Sequence, residues 1–393
     1  MSSASSDRPG PLLCVVGARP NYMKMAPLVR AFAARERLPR VVLVHTGQHY
    51  DVDMKQRLFA DLSLPAPDID LEVGPGTHAV QTAEIMRRFE PVIDREHPSC
   101  VIVVGDVNST LACSLVASKK GVSLAHVEAG LRSYDRAMPE EINRVLTDQM
   151  ADLLYTTERS AAANLAREGI DPGRIAFVGN VMIDSLATHL PHAVTPAETL
   201  RRAGVSDAFV SQPEGFAVAT LHRPSNVDEH AALAECLAAL TTVARRLPLV
   251  WPVHPRARSN IERYGLNGII DSGRILLLPP QGYLEMLGLM QNARLVLTDS
   301  GGVQEETTAL AVPCLTMRDN TERPITVDQG TNLLVGRDSA RIAAAVEDIF
   351  ATGGKRGRVP ELWDGQAAGR IARHLESALV PAGPVIARQE AEA

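Results

Sequence analysis

Short apolar runs alternate along the chain with longer segments in which apolar residues recur at helical spacing. Continuous apolar strands separated by helices indicate parallel sheets that are covered on both faces. A first series of strands is predicted at 12–16, 41–44, 101–104, 124–127, 153–156 and 175–178. A second series is predicted at 216–220, 249–253, 275–278, 295–297 and 314–317. The clearest helical patterns are 23–34, 79–93 and 140–150.

Two series of strands predict an α/β protein with two Rossmann-like domains whose parallel sheets face a cleft. The segment 191–215 is rich in proline, alanine and charge and has no strong strand pattern, so we place the first domain at 11–181 and the second at 182–364. We expect residues 1–10 and 381–393 to be disordered. Ligands of such sheets bind beyond the carboxyl ends of the strands, which is where we look for chemistry.

Composition and charge argue against several classes of protein, namely those that bind nucleic acid, a membrane or a metal. The chain has 393 residues and a net charge of −6, so no global basic field favours nucleic acid as a partner. No apolar stretch approaches the ~18 residues that a membrane span requires, and residues 1–10 lack the apolar core of a signal peptide. We therefore expect a cytoplasmic protein with no membrane partner. The five cysteines and the histidines lack metal-ligand spacing, so we expect neither disulfides nor a metal.

The turn at 298–306 is the most informative segment of the chain. It follows a predicted strand and precedes a predicted helix, so Ser300, Gly301 and Gly302 lie where free N–H groups at a helix N-terminus attract phosphate. Glu306 follows about one turn later, where a carboxylate can bind sugar hydroxyls. A tight turn before a well-capped helix explains the same residues equally well when they are taken alone.

In the first domain, polar residues follow several predicted strands. Arg19 and Lys24 follow the first strand in a turn that is not a GxGxxG dinucleotide fingerprint, and they suit phosphate oxygens. Asp106 follows the third strand; its alternative is to cap the next helix, as Asn108 also could.

Two glutamates extend this set. Glu128 emerges from an apolar strand, and its alternative is a buried pair with Arg132. Glu140 lies at a helix start, where the dipole favours acids, and decoration of that helix start is its alternative. Carboxylates gathered in one cleft push their pKa values apart, so that one serves as an acid and another as a base.

In the second domain, His222 follows the first strand, and either helps a leaving diphosphate or packs in a loop. Gln281 and Arg323 also lie just past predicted strands.

Taken together, these motifs resemble the non-hydrolysing UDP-N-acetylglucosamine 2-epimerases over nearly the whole chain. The resemblance rests on nine motifs: GARPNYMKMAPL (17–28), TGQHYD (46–51), GDVNSTL (105–111), HVEAGLRS (126–133), PEEINRVLTD (139–148), LHRPSN (221–226), PVHPR (252–256), TDSGGVQEE (298–306) and MRDNTERP (317–324).

The resemblance implies the two-domain GT-B architecture, with a C-terminal helix at 365–378 that crosses back to the first domain. It implies that UDP binds mainly to the second domain. For binding, the resemblance implies that the diphosphate contacts Ser300, Gly301, Gly302 and His222, that ribose contacts Glu306, and that uracil lies near Gln281 and Met286. It implies that three cations support the phosphates or the sugar: Arg19, Lys24 and Arg323. For catalysis, it implies Asp106, Glu128, Glu140 and His222.

The implied reaction inverts C2 of the sugar in UDP-N-acetylglucosamine and gives UDP-N-acetylmannosamine for cell-surface polysaccharide. UDP is eliminated with loss of the C2 proton to give a 2-acetamidoglucal, and UDP then adds back after protonation of the other face. This chemistry needs neither NAD nor a metal, so no cofactor is expected. The family analogy also implies a homodimer.

Departures from the family pattern bear on regulation and specificity. Asn21 stands where many members have glutamate, and Met286 stands where an aromatic residue is frequent. Gln48, His49 and Arg223 suit the allosteric substrate site of some bacterial members, although residues 74–85 do not match the rest of that site.

Several readings compete with the leading one. The motifs HTGQHYD and GYLEM also resemble epimerases of a UDP-2,3-diacetamido uronic acid, although Arg323 favours the simpler sugar. A GT-B glycosyltransferase shares the glycine-rich turn, but it does not explain three carboxylates in the first domain. A hydrolysing relative that releases free sugar and a non-catalytic nucleotide-sugar sensor are the remaining alternatives.

Overall fold

We describe the fold from a computed structural model, which covers residues 9–48, 59–271 and 273–379. His49, residues 1–8 and residues 381–393 lie outside these ranges, so the expectations placed on them are not addressed. Within the ranges, no helix is both long enough and apolar enough to cross a lipid bilayer.

The first sheet has seven parallel strands in the order β3-β2-β1-β4-β5-β6-β7. Its strands are β1 (Leu12–Val16), β2 (Val41–His45), β3 (Ile69–Asp70), β4 (Cys100–Val104), β5 (Ser123–Ala129), β6 (Leu153–Thr156) and β7 (Ile175–Phe177). The helices described between residues 19 and 202 are α1 (Arg19–Ala33), α2 (His78–Glu96), α3 (Asn108–Lys119), α4 (Pro139–Met150), α5 (Arg159–Arg167), α6 (Val181–His189) and α7 (Pro196–Arg202).

The second sheet has six parallel strands in the order β10-β9-β8-β11-β12-β13. Its strands are β8 (Ala217–Thr220), β9 (Leu249–Pro252), β10 (Ile275–Leu278), β11 (Leu295–Thr298), β12 (Cys314–Thr316) and β13 (Asn332–Leu334). The helices that follow α7 are α8 (Pro224–Val227), α9 (His230–Ala244), α10 (Pro255–Arg263), α11 (Asn267–Ile270), α12 (Tyr283–Asn292), α13 (Gly301–Ala309), α14 (Pro324–Asp328), α15 (Ser339–Thr352) and α16 (Ala367–Leu379).

Burial of both faces explains why the strands are continuous apolar runs. Successive side chains of a strand point to opposite faces of the sheet. In β1, Leu12, Cys14 and Val16 pack in one hydrophobic cluster, whereas Leu13 and Val15 pack in another. The predicted α/β class with two parallel sheets is confirmed.

Two edge strands were not predicted, and their composition explains why. The strand β3 has only two residues, one of them Asp70, and β13 begins with Asn332. Two residues are too few to give a period, and a polar residue followed by only two leucines within β13 gives no clear strand pattern.

The C-terminal helix α16 packs against α1 and α6, and so returns to the first sheet. Its N-terminus is held by Asp184 of α6, whose two carboxylate oxygens accept hydrogen bonds from the N–H groups of Ala367 and Ala368 at 2.9 Å each. Because α6 also packs against α13 of the second sheet, it joins the two halves. We propose that the domain boundary lies at the start of α6, as the sequence predicted.

Loss of the Asp184 carboxylate removes the acceptor for two N–H groups at the start of α16. Helix capping of this kind contributes about 1–2 kcal/mol, so Asp184→Ala should lower the free energy of unfolding by about that amount in urea titrations. Asp94→Ala is the control, because Asp94 forms an exposed pair with Lys120 at 3.0 Å and such pairs contribute about 0–1 kcal/mol. Equal losses in the two variants would contradict the capping role.

Candidate active site

Glu128 has an unusual backbone conformation at the carboxyl end of β5. Its φ angle is 73°, in the left-handed region that residues with a side chain rarely adopt. The register between β5 and β6 shifts between Val127 and Ala129, as at a β-bulge. Bulges re-aim side chains and strained residues gather at functional sites, so this distortion marks Glu128 as a functional candidate.

The Glu128 carboxylate is held between two cations from opposite sides of the cleft. One oxygen pairs with the Lys24 ammonium on α1, and the other pairs with the Arg323 guanidinium from the second domain. All three side chains are buried. The alternative that Glu128 pairs with Arg132 is wrong, because Arg132 instead binds Asp148 and Glu168.

Arg323 also binds within its own domain. Its Nε lies 2.9 Å from Glu305 Oε1, and the same oxygen accepts a hydrogen bond of 2.8 Å from Asn180 Nδ2. Burial disfavours the charged guanidinium, but Glu305, Glu128 and neighbouring carboxylates hold the pKa of Arg323 well above its usual range. Arg323 is therefore a permanent cation that links a carboxylate of each domain.

Asp106 lies at the carboxyl end of β4 and is bound by α4. Arg144 Nε lies 3.1 Å from Asp106 Oδ2, and Asn143 Nδ2 donates to the Asp106 carbonyl oxygen at 2.9 Å. Burial raises the pKa of Asp106, but the charges of Arg144, Lys24 and Arg323 outweigh it, and the pKa is lowered. Neither predicted cap forms, because Val107 is the N-cap residue of α3 and Asn108 is its first residue.

The third predicted carboxylate, Glu140, is the second residue of α4 and is half-buried. Among residues 9–48, 59–271 and 273–379 it has no hydrogen-bond or ion-pair partner. Its neighbour Glu141 is buried and accepts hydrogen bonds from the N–H groups of Ser133 and Tyr134, at 2.9 and 2.8 Å. The structure therefore brings Asp106 and Glu128 into one charged network, whereas Glu140 stays outside it.

Two side chains lie close to the glycines of the turn between β11 and α13. A Cβ atom on Gly301 would lie 2.7 Å from Glu322 Oε1, and one on Gly302 would lie 2.8 Å from the terminal methyl carbon of Met182. Ser300 is the N-cap residue of α13, yet its side chain makes no capping hydrogen bond. The alternative of a well-capped helix is therefore wrong in its capping part, and the N–H groups of this helix start remain suited to an anion.

Arginines surround this turn. Burial raises the pKa of Glu322, but the neighbouring arginines outweigh that effect and hold the pKa well below its usual range. The closest contacts are Arg318 Nη2 to Glu322 Oε2 at 2.8 Å and Arg223 Nη2 to Glu322 Oε1 at 3.2 Å. The surroundings of the turn therefore favour negative charge.

His222 is oriented by a buried aspartate. Its Nδ1 lies 2.9 Å from Asp299 Oδ1, and its side chain remains 44% exposed. Burial raises the pKa of Asp299, but His222 and two backbone N–H groups lower it below its usual value. An imidazole that is fixed through Nδ1 and exposed to the cleft can present Nε2 to a leaving group.

Glu306 is buried in α13 and is held by Tyr283, whose hydroxyl donates to Glu306 Oε1 at 2.9 Å. Burial raises the pKa of Glu306 to about 7, although the hydrogen bond from Tyr283 and the charge of Arg19 oppose the increase. Arg19, the first residue of α1, thus acts electrostatically across the cleft on the residue predicted to bind ribose.

The remaining predicted site residues occupy varied positions. Gln281 Nε2 donates to the Pro279 carbonyl oxygen at 2.8 Å, and Met286 is 8% exposed within the main hydrophobic cluster. Gln48 Oε1 accepts from the Ser109 hydroxyl at 2.7 Å in the first domain, whereas Arg223 Nε donates to the Asp299 carbonyl oxygen at 3.1 Å in the second. Their uracil-binding and allosteric roles stay predictions.

Sequence reasoning missed several residues of this network. Five residues lie within the quoted motifs but received no role there: Arg144, Tyr283, Asp299, Glu305 and Glu322. Their common signal is a polar or charged residue on the buried face of a helix or at a strand end, which a pattern search can detect only after the faces are known.

Comparisons with known proteins fit this geometry. A family model described as UDP-N-acetylglucosamine 2-epimerase matches residues 31–376. The UDP-N-acetylglucosamine 2-epimerase of Methanocaldococcus jannaschii is 39% identical over 367 residues, with 93% of this chain and 98% of the relative covered. The UDP-2,3-diacetamido-2,3-dideoxy-D-glucuronate 2-epimerase of Pseudomonas aeruginosa is 40% identical over 374 residues, with 93% and 99% covered.

Among solved structures, a crystal structure of the M. jannaschii enzyme in complex with UDP-GlcNAc and UDP has a TM-score of 0.85 to this chain. It is 39% identical and covers 93% of this chain and 99% of its own. Structural neighbours of this kind have the GT-B architecture that the motifs implied.

A buried carboxyl beside the site gives a test of its electrostatics. Glu158 is 2% exposed at the N-cap of α5, and burial raises its pKa to about 7. A carboxyl with a raised pKa in the folded state stabilises the protein below its unfolded pKa, near 4.5, and this contribution is lost as pH rises to about 7.

Glu158→Gln should remove this pH dependence. Between pH 4.5 and 8, the free energy of unfolding of the variant relative to wild type should rise by about 3 kcal/mol, measured by urea titration at each pH. Glu361→Gln serves as the control, because Glu361 is an exposed partner of Arg159. A pH-independent difference for Glu158→Gln would contradict the raised pKa.

Proposed function

The chain belongs to the UDP-N-acetylglucosamine 2-epimerase family, whose members are isomerases, and on this premise we propose that it inverts C2 of UDP-N-acetylglucosamine. The product is UDP-N-acetylmannosamine. The reaction proceeds by elimination of UDP to a 2-acetamidoglucal and re-addition of UDP after protonation of the opposite face, and it serves cell-surface polysaccharide synthesis.

The contact between Glu128 and Arg323 is the observation that carries the proposal. Glu128 belongs to the first domain, and Arg323 lies beside Gly301, whose Cβ would be 3.6 Å from Arg323 Cζ. The acids of one domain and the phosphate-binding turn of the other therefore meet at one place. A sugar anchored there by its diphosphate has a base or acid within reach of C2.

Roles follow from the environments of the side chains. We propose that Ser300, Gly301 and Gly302 bind the diphosphate, that His222 donates to the leaving phosphate, and that Glu306 binds ribose. Arg19, Lys24 and Arg323 supply positive charge for the phosphates and the sugar. Asp106, Glu128 and Glu140 share proton removal from C2 and proton return to it. Gln281 and Met286 face uracil in this proposal, and Gln48, His49 and Arg223 form the allosteric candidate.

The second candidate substrate is a UDP-2,3-diacetamido uronic acid. It is supported by the P. aeruginosa relative, whose 40% identity is indistinguishable from the 39% of the M. jannaschii enzyme. Separate incubation with each nucleotide sugar, without any acceptor, distinguishes the two substrates. It also tests for glycosyl transfer, because conversion without an acceptor excludes a glycosyltransferase.

We also propose a homodimer in the cytoplasm. On α4, Ile142 and Leu146 are 43% and 45% exposed and lie one helical turn apart, which suits burial against a second copy. All five cysteines lie within the structure, where they are buried and unbridged, which suits a reducing compartment.

Turnover in deuterium oxide tests the proposed reaction directly. Because the C2 proton is removed and a solvent hydrogen is returned, both the product and the recovered substrate should carry deuterium at C2, detected by mass spectrometry and proton NMR. Release of free sugar with a matching amount of UDP would instead identify a hydrolase. Product without deuterium at C2 would contradict elimination.

Removal of one proton-transfer group should slow chemistry more than binding. Glu128→Gln is expected to lower kcat by about 10²–10⁴-fold because such groups contribute that much to rate, while UDP binding measured by calorimetry is largely retained. Glu168→Gln is the matched control, since Glu168 is a partly buried carboxylate that is bound to a cation, Arg132. Full activity of Glu128→Gln would remove Glu128 from the mechanism.

A further inference from the structure

His126 lies on β5, two residues before Glu128, and is completely buried. Its Nδ1 lies 2.6 Å from Asp148 Oδ1, and its Nε2 lies 2.8 Å from the carbonyl oxygen of Gly105. A carbonyl oxygen can only accept, so Nε2 must carry a hydrogen. The distance of 2.6 Å makes the contact between Nδ1 and the Asp148 carboxylate a hydrogen bond.

Asp148 of α4 holds the other side of the same region. Its Oδ2 accepts a hydrogen bond of 3.0 Å from the N–H group of Gly130 and lies 2.7 Å from Arg132 Nη2. Asp148 is 0% exposed, so it contacts neither solvent nor a ligand in the cleft. Both of its oxygens are therefore used to fix its surroundings.

These bonds reach the backbone beside two of the proposed catalytic acids, Asp106 and Glu128. Gly105 immediately precedes Asp106, and Gly130 follows Glu128 by two residues. Gly105 has a φ angle of 65°, and its N–H group donates to the Val127 carbonyl oxygen at 3.1 Å. The His126–Asp148 pair thus ties the loop after β4 to the loop after β5 through buried hydrogen bonds.

We propose that His126 and Asp148 are positioning residues that fix the relative placement of Asp106 and Glu128. His126 sets the Gly105 carbonyl and hence the direction in which the chain enters Asp106. Asp148 sets the Gly130 N–H group and hence the end of the bulge at Glu128. The role in epimerisation rests on the proposed function, whereas the placement of the loops does not.

Two conservative variants separate positioning from simple packing. In His126→Gln the amide nitrogen comes close to the position of Nε2 and can still donate to Gly105. In His126→Asn the amide nitrogen comes close to the position of Nδ1. It keeps the bond to Asp148 but loses the bond to the Gly105 carbonyl oxygen. Misplacement by about 1 Å costs on the order of 10²-fold in rate, so His126→Asn should lose about that much in kcat with little change in KM. His126→Gln should recover most of that loss.

His45→Asn is the matched control. His45 is 2% exposed on β2, and its Nδ1 lies 3.0 Å from Asp70 Oδ1, so it forms a second histidine–aspartate pair in the same sheet, with a buried imidazole and a carboxylate that is 34% exposed. The His45→Asn variant should lose about as much thermal stability as His126→Asn, but its kcat should equal that of the wild type. Equal losses of kcat in His126→Asn and His126→Gln, or an equal loss in His45→Asn, would overturn the positioning role.

A measurement without substrate keeps this inference independent of the proposed function. In ligand-free His126→Asn, hydrogen exchange of the peptide 104–110 should be faster than in wild type, while that of 41–46 is unchanged. Unchanged exchange in 104–110 would overturn the inference. If wild-type protein converts no UDP-sugar, the proposed function fails, and the exchange measurement alone decides the placement of the loop.

Discussion

The site depends on one buried charge arrangement, in which the Glu128 carboxylate lies between Lys24 and Arg323. Removal of one partner of a buried ion pair costs about 3–5 kcal/mol, because the remaining charge has lost its solvation without compensation. The two cations come from different domains, so both carboxylate oxygens are paired only while the two domains keep this contact. The same contact couples the conformation of the domains to the state of a proposed catalytic acid.

The rest of the first domain is arranged so that this carboxylate can point into the cleft. A regular β5 would alternate its side chains between the two buried faces of the sheet. The bulge and the positive φ angle at Glu128 break that alternation. The polar face of α4, with Asn143, Arg144 and Asp148, then supplies the hydrogen bonds that hold the distorted loops.

The pKa values of the buried carboxyl groups differ because their electrostatic environments differ. Asp106 and Glu322 lie among arginines, and their pKa values are lowered in spite of burial. Glu306 lacks such an excess of positive charge, and its pKa is raised to about 7. Carboxyl groups of one chemical type thereby acquire different pKa values within one cleft.

The sequence by itself determined the two parallel sheets, because strands that are buried on both faces must be continuous apolar runs. It also determined that Asp106 and the Ser300–Gly302 turn follow strands and that Glu128 lies at the carboxyl end of one, since chain order alone places them there. Only the tertiary structure determined which charged residues pair with one another. Arg132, four residues from Glu128, binds Asp148, whereas Arg323, far along the chain, binds Glu128. Which charges meet is set by the docking of one sheet against the other, and no local pattern encodes that distance.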